Sequence, residues 1–274
     1  MHPGGNEWAR YYRRRELDDL QILHAKFVDH DFARHSHDYF VVGYVEAGAQ
    51  AYRYRGARHV TSAGELFLVN PDEAHTGEAA DGSGYVYRTM YPRPALMLSV
   101  ARELSERAPM PAFKAAVIKD PALRGHLVRF HQAIERQESS LAVESHLIAA
   151  LGCLIARHAE RRPAPQRVRA QRMSSRRARD YIDANLATDI SLAQLAAIVN
   201  CSPYHFARAF QRDVGVPPHV YLDVQRIRKA CALLDAAVPI AQVATSVGYA
   251  DQSHLTHRFK RLLGISPAQY RRGH

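Results

Sequence analysis

The sequence is poor in cysteine and tryptophan and has no long apolar run. Its 274 residues include three cysteines and one tryptophan. Because Cys153, Cys201 and Cys231 are isolated, they form neither a disulfide framework nor a cysteine-rich metal site, and they suit a reducing compartment. No apolar run approaches the roughly 20 residues that span a bilayer. Since no signal-peptide pattern opens the chain either, we expect a cytoplasmic protein without a membrane partner.

Acidic residues are scarce in the last part of the chain. Residues 1–160 contain 19 Lys+Arg and 20 Asp+Glu, whereas residues 161–274 contain 18 and 7. The net charge of +10 therefore divides into −1 and +11. A basic excess confined to one part predicts contact with nucleic-acid phosphates, and a merely solvated basic surface is the alternative. The length favours two domains, each with its own core.

Residues 190–267 contain two copies of one structural unit. Ile190-Ser-Leu-Ala-Gln-Leu-Ala matches Val238-Pro-Ile-Ala-Gln-Val-Ala at an offset of 48, and later positions match at an offset of 49. The apolar spacing in each copy predicts a short helix, a tight turn and a second helix. Residues 217–236 predict one helix that connects the copies.

The caps and turns of both copies follow the same rules. Ser191 with Gln194 is a capping-box pattern. Ser202, followed by proline, begins the second helix of the first copy, and Gly215 ends it. Asp251 takes the corresponding cap position in the second copy. A helix, a turn and a second helix with a polar outer face form the helix-turn-helix plan, whose second helix fits the major groove of DNA.

Two motifs in the second copy identify a family. They are Val243-Ala-x-x-Val-Gly-Tyr-x-Asp-Gln-Ser-His-Leu-x-x-x-Phe-Lys260 and Gly264-Ile-Ser-Pro-x-x-Tyr-Arg271. With them, residues 176–272 resemble the DNA-binding domain of the AraC family of bacterial transcription regulators. The resemblance implies that both second helices read bases in double-stranded DNA. The implied base contacts are Tyr204, His205 and Arg208 in the first copy and Gln252, Ser253, Thr256 and His257 in the second, with Arg258 and Lys260 near phosphates.

Short strand patterns dominate residues 25–90. They are separated by turn signals at residues 46–48 and 56, which favours a small antiparallel barrel or jelly roll. Such barrels commonly hold a small ligand. The arginine-rich residues 1–30 predict a frayed arm before the first strand, and an arm that contacts the other domain is the alternative. The predicted strands are Tyr39–Val45, Ala51–Arg55, His59–Thr61, Glu65–Val69 and Tyr85–Met90.

Three histidines in this region belong to a second sequence pattern. His35-Ser-His37, and the stretch from Gly64 to His75, resemble the two cupin motifs often found in front of this DNA-binding domain. Three converging imidazoles suit a divalent transition metal, but the acidic ligand of metal cupins is replaced by valine, and Glu46 lies too far along the chain. Metal ligands, effector-contacting groups and structural histidines therefore all remain open as interpretations.

Tyrosine and arginine side chains are frequent in the same strands. Because alternate positions of a strand face inward, some of them must line the interior. An inward arginine would favour a carboxylate or phosphate on the ligand, although an outward arginine is the commoner arrangement. The predicted effector-binding residues are His35, His37, Tyr39, Tyr54, His75 and Tyr87.

The sequence thus predicts an α+β protein of two domains. Residues 1–160 form a cupin-like effector-binding barrel with helices in 93–160 that mediate a homodimer, residues 161–174 form a linker, and residues 175–274 form the all-α double helix-turn-helix domain. We expect a sequence-specific transcription regulator that responds to a small molecule and that has RNA polymerase as a further partner. No catalytic residue and no required cofactor are expected. The alternatives are a metal-dependent cupin enzyme with a basic tail and an effector-independent DNA-binding dimer.

Overall fold

A computed structural model describes residues 7–161, 175–263 and 265–272. Among these residues the chain divides into two compact units. Unit 1 comprises residues 7–137 and 146–161, and unit 2 comprises residues 138–145, 175–263 and 265–272. The predicted linker, apart from Arg161, and the predicted helix stop at Gly264 lie outside the described residues.

Unit 1 is built on a nine-stranded antiparallel sheet. The strands follow the order β1-β2-β8-β4-β6-β9, and β3, β5 and β7 lie off this path, with β7 between β3 and β4. Every strand pair is antiparallel, as the sequence predicted. The strands are β1 (Trp8–Arg14), β2 (Leu20–Phe27), β3 (Phe32–His35), β4 (Val41–Tyr54), β5 (Ala57–Ser62), β6 (Leu66–Val69), β7 (His75–Ala79), β8 (Tyr85–Tyr91) and β9 (Val117–Ile118).

Strand β4 corrects the predicted turn at residues 46–48. It runs unbroken for 14 residues. Its first half pairs with β6, its second half with β5 and β7, and β8 pairs along residues 42–48. The register with β8 shifts between Val45 and Ala47, which is a bulge at Glu46, and Gly48 has a φ of 71°. A bulge and a left-handed glycine bend a strand without reversing it, so these residues carry β4 from one layer to the next.

The predicted frayed arm is also corrected, because residues 8–14 form strand β1. This strand pairs residue by residue with β2, from Trp8 opposite Lys26 to Arg14 opposite Leu20. The connection is held by an ion pair in which the Arg13 Nε atom lies 2.5 Å from Asp19 Oδ1. The two strands form a local hairpin joined by residues 15–19, and the arginine-rich composition of β1 was misleading.

Three helices complete unit 1, although the first turns of the third belong to unit 2. By length and composition alone, the 19-residue α3 is long and apolar enough to cross a membrane. Such a helix was not predicted from the sequence, because no uninterrupted apolar run was found. Over half of that stretch is buried inside the protein, including Leu147, Leu151, Leu154 and Ile155, as in the core helix of a globular protein. The helices are α1 (Pro94–Leu104), α2 (Pro121–Glu135) and α3 (Ser140–His158).

Asp120 ties α2 to the end of α3. Its Oδ1 atom accepts hydrogen bonds of 3.1 Å from the backbone N–H groups of Ala122 and Leu123, which caps α2. Its Oδ2 atom accepts from Arg157 at 2.7 Å and from His158 at 2.8 Å. Burial acts to raise the pKa of Asp120, but the hydrogen bonds from His158, the backbone and Arg157 prevail and lower it to about 2.

Replacing Asp120 with alanine is expected to lower the free energy of unfolding of unit 1 by about 1–2 kcal/mol at neutral pH, as for other helix caps. Because the folded pKa lies below the ordinary value of 3.8, this stabilisation is complete above that value and disappears as the pH falls toward 2. Urea unfolding followed by Trp8 fluorescence measures both effects. An equal loss for the exposed Asp31→Ala control, or a loss independent of pH, would contradict this role.

Unit 2 contains seven helices within the described residues, in the repeated arrangement that the sequence predicted. The capping box of Ser191 with Gln194 is present. Ser202 and Asp251 cap the two second helices through bonds to the backbone N–H groups of His205 and His254, and Gly215 ends the first in the left-handed conformation. The helices are α4 (Ser175–Ala184), α5 (Leu192–Ile198), α6 (Pro203–Val214), α7 (Pro218–Asp235), α8 (Ile240–Ser246), α9 (Gln252–Leu263) and α10 (Pro267–Arg272).

The connecting helix α7 supplies a core for the second copy. Ile227, Ala230 and Leu234 of α7 form one buried cluster with residues of α8 and α9, among them Val243 and Phe259. Because α9 is fixed by this apolar contact, its opposite face is left to solvent.

Candidate functional site

The outer face of α6 carries the first set of predicted base contacts. The helix buries Phe206 and Phe210 and leaves Arg208 exposed, with Tyr204 and His205 half-buried. Arg208 Nη1 donates a hydrogen bond of 2.8 Å to Tyr204 Oη, and the guanidinium lies 5.5 Å from the centre of that ring. Tyr204 therefore orients the arginine, which limits the conformational entropy lost when the guanidinium binds an acceptor.

The outer face of α9 carries the second set. Gln252, Ser253, His257 and Lys260 are exposed, and Thr256 is half-buried. Neither α6 nor α9 has an acidic residue in its first turn, although the Asp251 carboxylate caps the N-terminus of α9. Both faces have the polar, cationic character that a helix in a major groove requires.

Arg258 corrects the sequence-based assignment, because it does not lie on the outer face. It is 5% exposed. Its Nη1 atom donates to Asp223 Oδ2 at 3.2 Å, and its Nη2 atom lies 3.5 Å from Glu138 Oε1. Residue 258 follows the buried Leu255 by three positions, which places both on one helix face. Helical spacing was thus a signal for this burial, although the charge of the side chain pointed to phosphate.

Unit 1 contains a partly open cavity of about 280 Å³ among its strands. Its lining is aromatic and polar, with contributions from β1, β2, β3, β4, β6, β7 and β8 and from the residues after β3. The cavity volume approaches the lower end of the range for sites that bind small molecules. The lining residues are Tyr11, Gln21, Leu23, Phe32, His35, His37, Tyr39, Val41, Gln50, Tyr52, Phe67, Val69, His75, Thr76, Gly77, Tyr87, Thr89 and Tyr91.

Five of the six predicted effector-binding residues line this cavity, and Tyr54 does not. His35, His37, Tyr39, His75 and Tyr87 are brought together in its wall. Tyr54 is buried elsewhere in the core, where its hydroxyl accepts hydrogen bonds of 3.1 Å from the backbone N–H and the side-chain amide of Asn70. That hydroxyl holds the turn before β7, and it is therefore structural.

Several polar residues of the wall, above all Gln50 and Thr89, were not predicted from the sequence. Gln50 is 8% exposed, and its Oε1 atom is buried without a hydrogen-bond partner among the described residues. Thr89 lies between Tyr87 and Tyr91 on the same face of β8, since side chains two residues apart in a strand share a face. Because alternate residues of a strand share a face, the position of Tyr87 could have predicted Thr89 and Tyr91. The position of Gln50 in the wall follows only from the pairing register of β4.

The charged residues of these strands lie outside the cavity. Arg88, on the other face of β8, forms ion pairs with Glu46 and Glu135, and His24 bridges the same two carboxylates at 3.0 and 2.8 Å. Arg55 is paired with Glu73 at 2.6 Å. No Arg, Lys, Asp or Glu lines the cavity in the described part of the chain. The protein therefore offers a ligand hydroxyl, amide and imidazole groups but no charged side chain.

The three histidines form the most polar part of the wall. The ring centre of His75 lies 4.5 Å from that of His35 and 4.9 Å from that of His37. Burial lowers the pKa of both His37 and His75 below the ordinary value of 6.5, and the neighbouring His35 lowers them further. Both rings are therefore neutral at physiological pH, with one nitrogen able to accept a hydrogen bond or bind a metal.

Two family models match the chain, one mostly within unit 1 and the other within unit 2. The AraC-like ligand binding domain matches residues 19–151, which include the cavity. A helix-turn-helix domain matches residues 195–273, which include α6 and α9.

Relatives match over most of the chain or over its C-terminal part. The chain is 28% identical over 236 residues to the HTH-type transcriptional regulator YbfI of Bacillus subtilis, covering 86% of each chain. It is 25% identical over 266 residues to the MmsAB operon regulatory protein of Pseudomonas aeruginosa, covering 94% of this chain and 83% of the relative. The C-terminal domain of AraT from Geobacillus stearothermophilus is 36% identical, with 38% of this chain and 88% of that one covered and a TM-score of 0.36. With a ligand-binding domain in front of a double helix-turn-helix domain, the chain belongs to the AraC family of DNA-binding transcription regulators.

Proposed function

We propose that a small molecule bound in the cavity of unit 1 controls the binding of α6 and α9 to DNA. The observation that carries the proposal is the cavity itself, whose wall brings together five predicted effector-binding residues and the polar side chains of Gln50 and Thr89. A concave, mostly apolar site with a few polar groups is the usual form of a small-molecule site.

The proposal extends to a cytoplasmic homodimer, with contact through helices in residues 93–160, that acts with RNA polymerase and has no catalytic step of its own. It rests on the family, since the matched relatives are named as a transcriptional regulator and an operon regulatory protein. A ligand that prefers one arrangement of the two DNA-binding domains in the dimer changes which sites they hold together. Sedimentation of the full-length chain checks the dimer directly.

A thermal-shift screen of small metabolites tests the proposed effector. A ligand at 100 times its Kd stabilises the folded state by about 2.7 kcal/mol, and the same compound must change the affinity of the chain for its DNA site. Gln50→Leu removes the acceptor at nearly constant volume, so it should weaken the response at least tenfold. Gln132→Leu on α2, outside the cavity, is the matched control. A stabilising compound that is indifferent to Gln50, or that leaves DNA binding unchanged, would contradict the proposal.

Replacing the exposed Lys260 with alanine is expected to weaken binding to all DNA sequences alike, because a phosphate contact carries no sequence information. The slope of log K against log salt should fall by about 1. Titrations of specific and scrambled duplexes at several salt concentrations measure this slope. An unchanged slope would remove Lys260 from the phosphate contacts.

A further inference from the structure

Three histidines converge at one end of the cavity through the pairing of two strands. His35, the last residue of β3, is paired with His75, the first residue of β7. His37 follows two residues later, and its ring centre lies 5.7 Å from that of His35. One ring nitrogen from each histidine lies within 4.8 Å of the other two. This approach follows from strand register, so it is a property of the fold.

The hydrogen bonds of the three rings fix which nitrogen of each ring carries the proton. Each Nδ1 atom contacts a backbone carbonyl oxygen, with His35 bonded to Ala33 at 2.8 Å, His37 to Tyr39 at 2.9 Å and His75 to Glu73 at 3.1 Å. A carbonyl oxygen only accepts, so each Nδ1 must carry the proton. In a neutral imidazole the lone pair then lies on Nε2. All three rings are held in the same tautomer.

Each ring of the cluster therefore has an acceptor at Nε2. None of the three Nε2 atoms forms a hydrogen bond within the part of the chain that the structure describes. Lone pairs that face one another repel, and an interior cation removes the repulsion. An Nδ1–H bonded to a backbone carbonyl is also the outer contact by which metal-binding histidines are usually oriented.

We propose that His35, His37 and His75 bind one divalent transition-metal ion, with an open coordination position that faces the cavity. Three imidazoles suit zinc, copper, nickel or iron, and three protein ligands with one open position are the pattern of accessible zinc sites. Metal–nitrogen bonds of about 2.0–2.1 Å bring tetrahedral ligand atoms to roughly 3.3 Å apart, so the rings must close slightly. His35, which is exposed at a strand end, has the freedom to move.

Within the residue ranges that the structure describes, the cavity wall supplies no carboxylate to the metal ion, and this indicates the class of effector. This inference rests on the proposed function of the cavity. Three neutral imidazoles leave the charge of a divalent ion uncompensated, and no Asp or Glu lines the cavity among the described residues. An anionic oxygen donor, such as a carboxylate, both completes the coordination and neutralises charge. Tyr39, Gln50 and Tyr87 line the space beside the ion and would contact the rest of that molecule.

Co²⁺ added to chelator-treated, full-length protein tests the metal site. The expected result is one equivalent bound, with the intense visible absorption of a four-coordinate ion and displacement by Zn²⁺. His37→Gln and His75→Gln should each weaken binding at least tenfold. His126→Gln, on α2 outside the cavity, is the matched control. No stoichiometric binding, or equal binding by all three variants, would overturn the site.

Two further measurements test the metal site and its open position without relying on variants. X-ray absorption of the Zn²⁺-loaded wild-type chain needs no variant, and it should show imidazole scattering with Zn–N distances of about 2.0–2.1 Å. Acetate and acetamide have the same shape, but only acetate is charged, so only acetate should change the Co²⁺ spectrum. If acetate has no effect, the open position and the anionic effector are wrong, whereas DNA binding and the thermal-shift screen test the proposed regulation separately.

Discussion

Replacing both Arg208 and Gln252 with alanine is expected to lower the affinity for the specific DNA site by about 2–6 kcal/mol. Each side chain is exposed on the outer face of its helix, and a good contact to a base edge contributes about 1–3 kcal/mol. Because they lie on different helices, α6 and α9, without a shared partner, the two losses should add. Since 1.4 kcal/mol is tenfold, even the lower estimate is about a 25-fold loss.

The measurement uses a site enriched from a random DNA pool by the full-length protein at near-physiological salt. Anisotropy titrations then compare this site with a scrambled duplex, for which the double variant should lose much less affinity. Gln211→Ala and Arg212→Ala are matched controls, because these exposed residues lie in the C-terminal half of α6, away from the end that reads bases. Equal losses on both duplexes would show that Arg208 and Gln252 contact phosphate only.

Replacing Arg258 with alanine is expected to destabilise unit 2 by about 3–5 kcal/mol, because it leaves the carboxylates of Asp223 and Glu138 without their buried partner. Burial already raises the pKa of Asp223, and the attraction of Arg258 opposes this effect. Loss of the arginine therefore favours a protonated aspartic acid, which partly limits the cost. The stability effect should exceed any direct effect on DNA contacts.

The single tryptophan makes this prediction easy to resolve. Trp8 lies in unit 1, so its fluorescence follows that unit, whereas circular dichroism follows the helices of both. In urea, Arg258→Ala should shift the dichroism transition and leave the Trp8 transition in place. The exposed Lys260→Ala is the control, since surface substitutions rarely change stability by more than about 0.5 kcal/mol. Unchanged stability, together with a smaller slope of log K against log salt, would show that Arg258 contacts phosphate instead.

Local signals made much of unit 2 predictable. The capping box at Ser191, the cap at Ser202 and the left-handed Gly215 all act on backbone groups within a few residues. Their physical effect therefore does not depend on the rest of the fold. The strands of unit 1 were less predictable, because the arginine-rich composition of β1 is not typical of a strand and the bulge in β4 arises from pairing with the distant β8.

The candidate sites show the same division. Five of the cavity residues were expected because histidine and tyrosine are chemically distinctive, whereas Gln50 emerged only when the register of β4 placed it in the wall. The hydroxyl of Tyr54 looked equally suitable, but Asn70 engages it.

The sequence by itself determined the two helix-turn-helix units, the basic C-terminal part and the antiparallel barrel, because caps, glycines and periodicity act over a few residues. Only the tertiary structure decided that Arg258 pairs with Asp223 and Glu138, that Arg88 lies outside the cavity, and that His35, His37 and His75 each bring one ring nitrogen within 4.8 Å of the other two. Those arrangements depend on partners between 35 and 120 residues apart. Their geometry is fixed by strand register and helix packing, which no short stretch of sequence encodes.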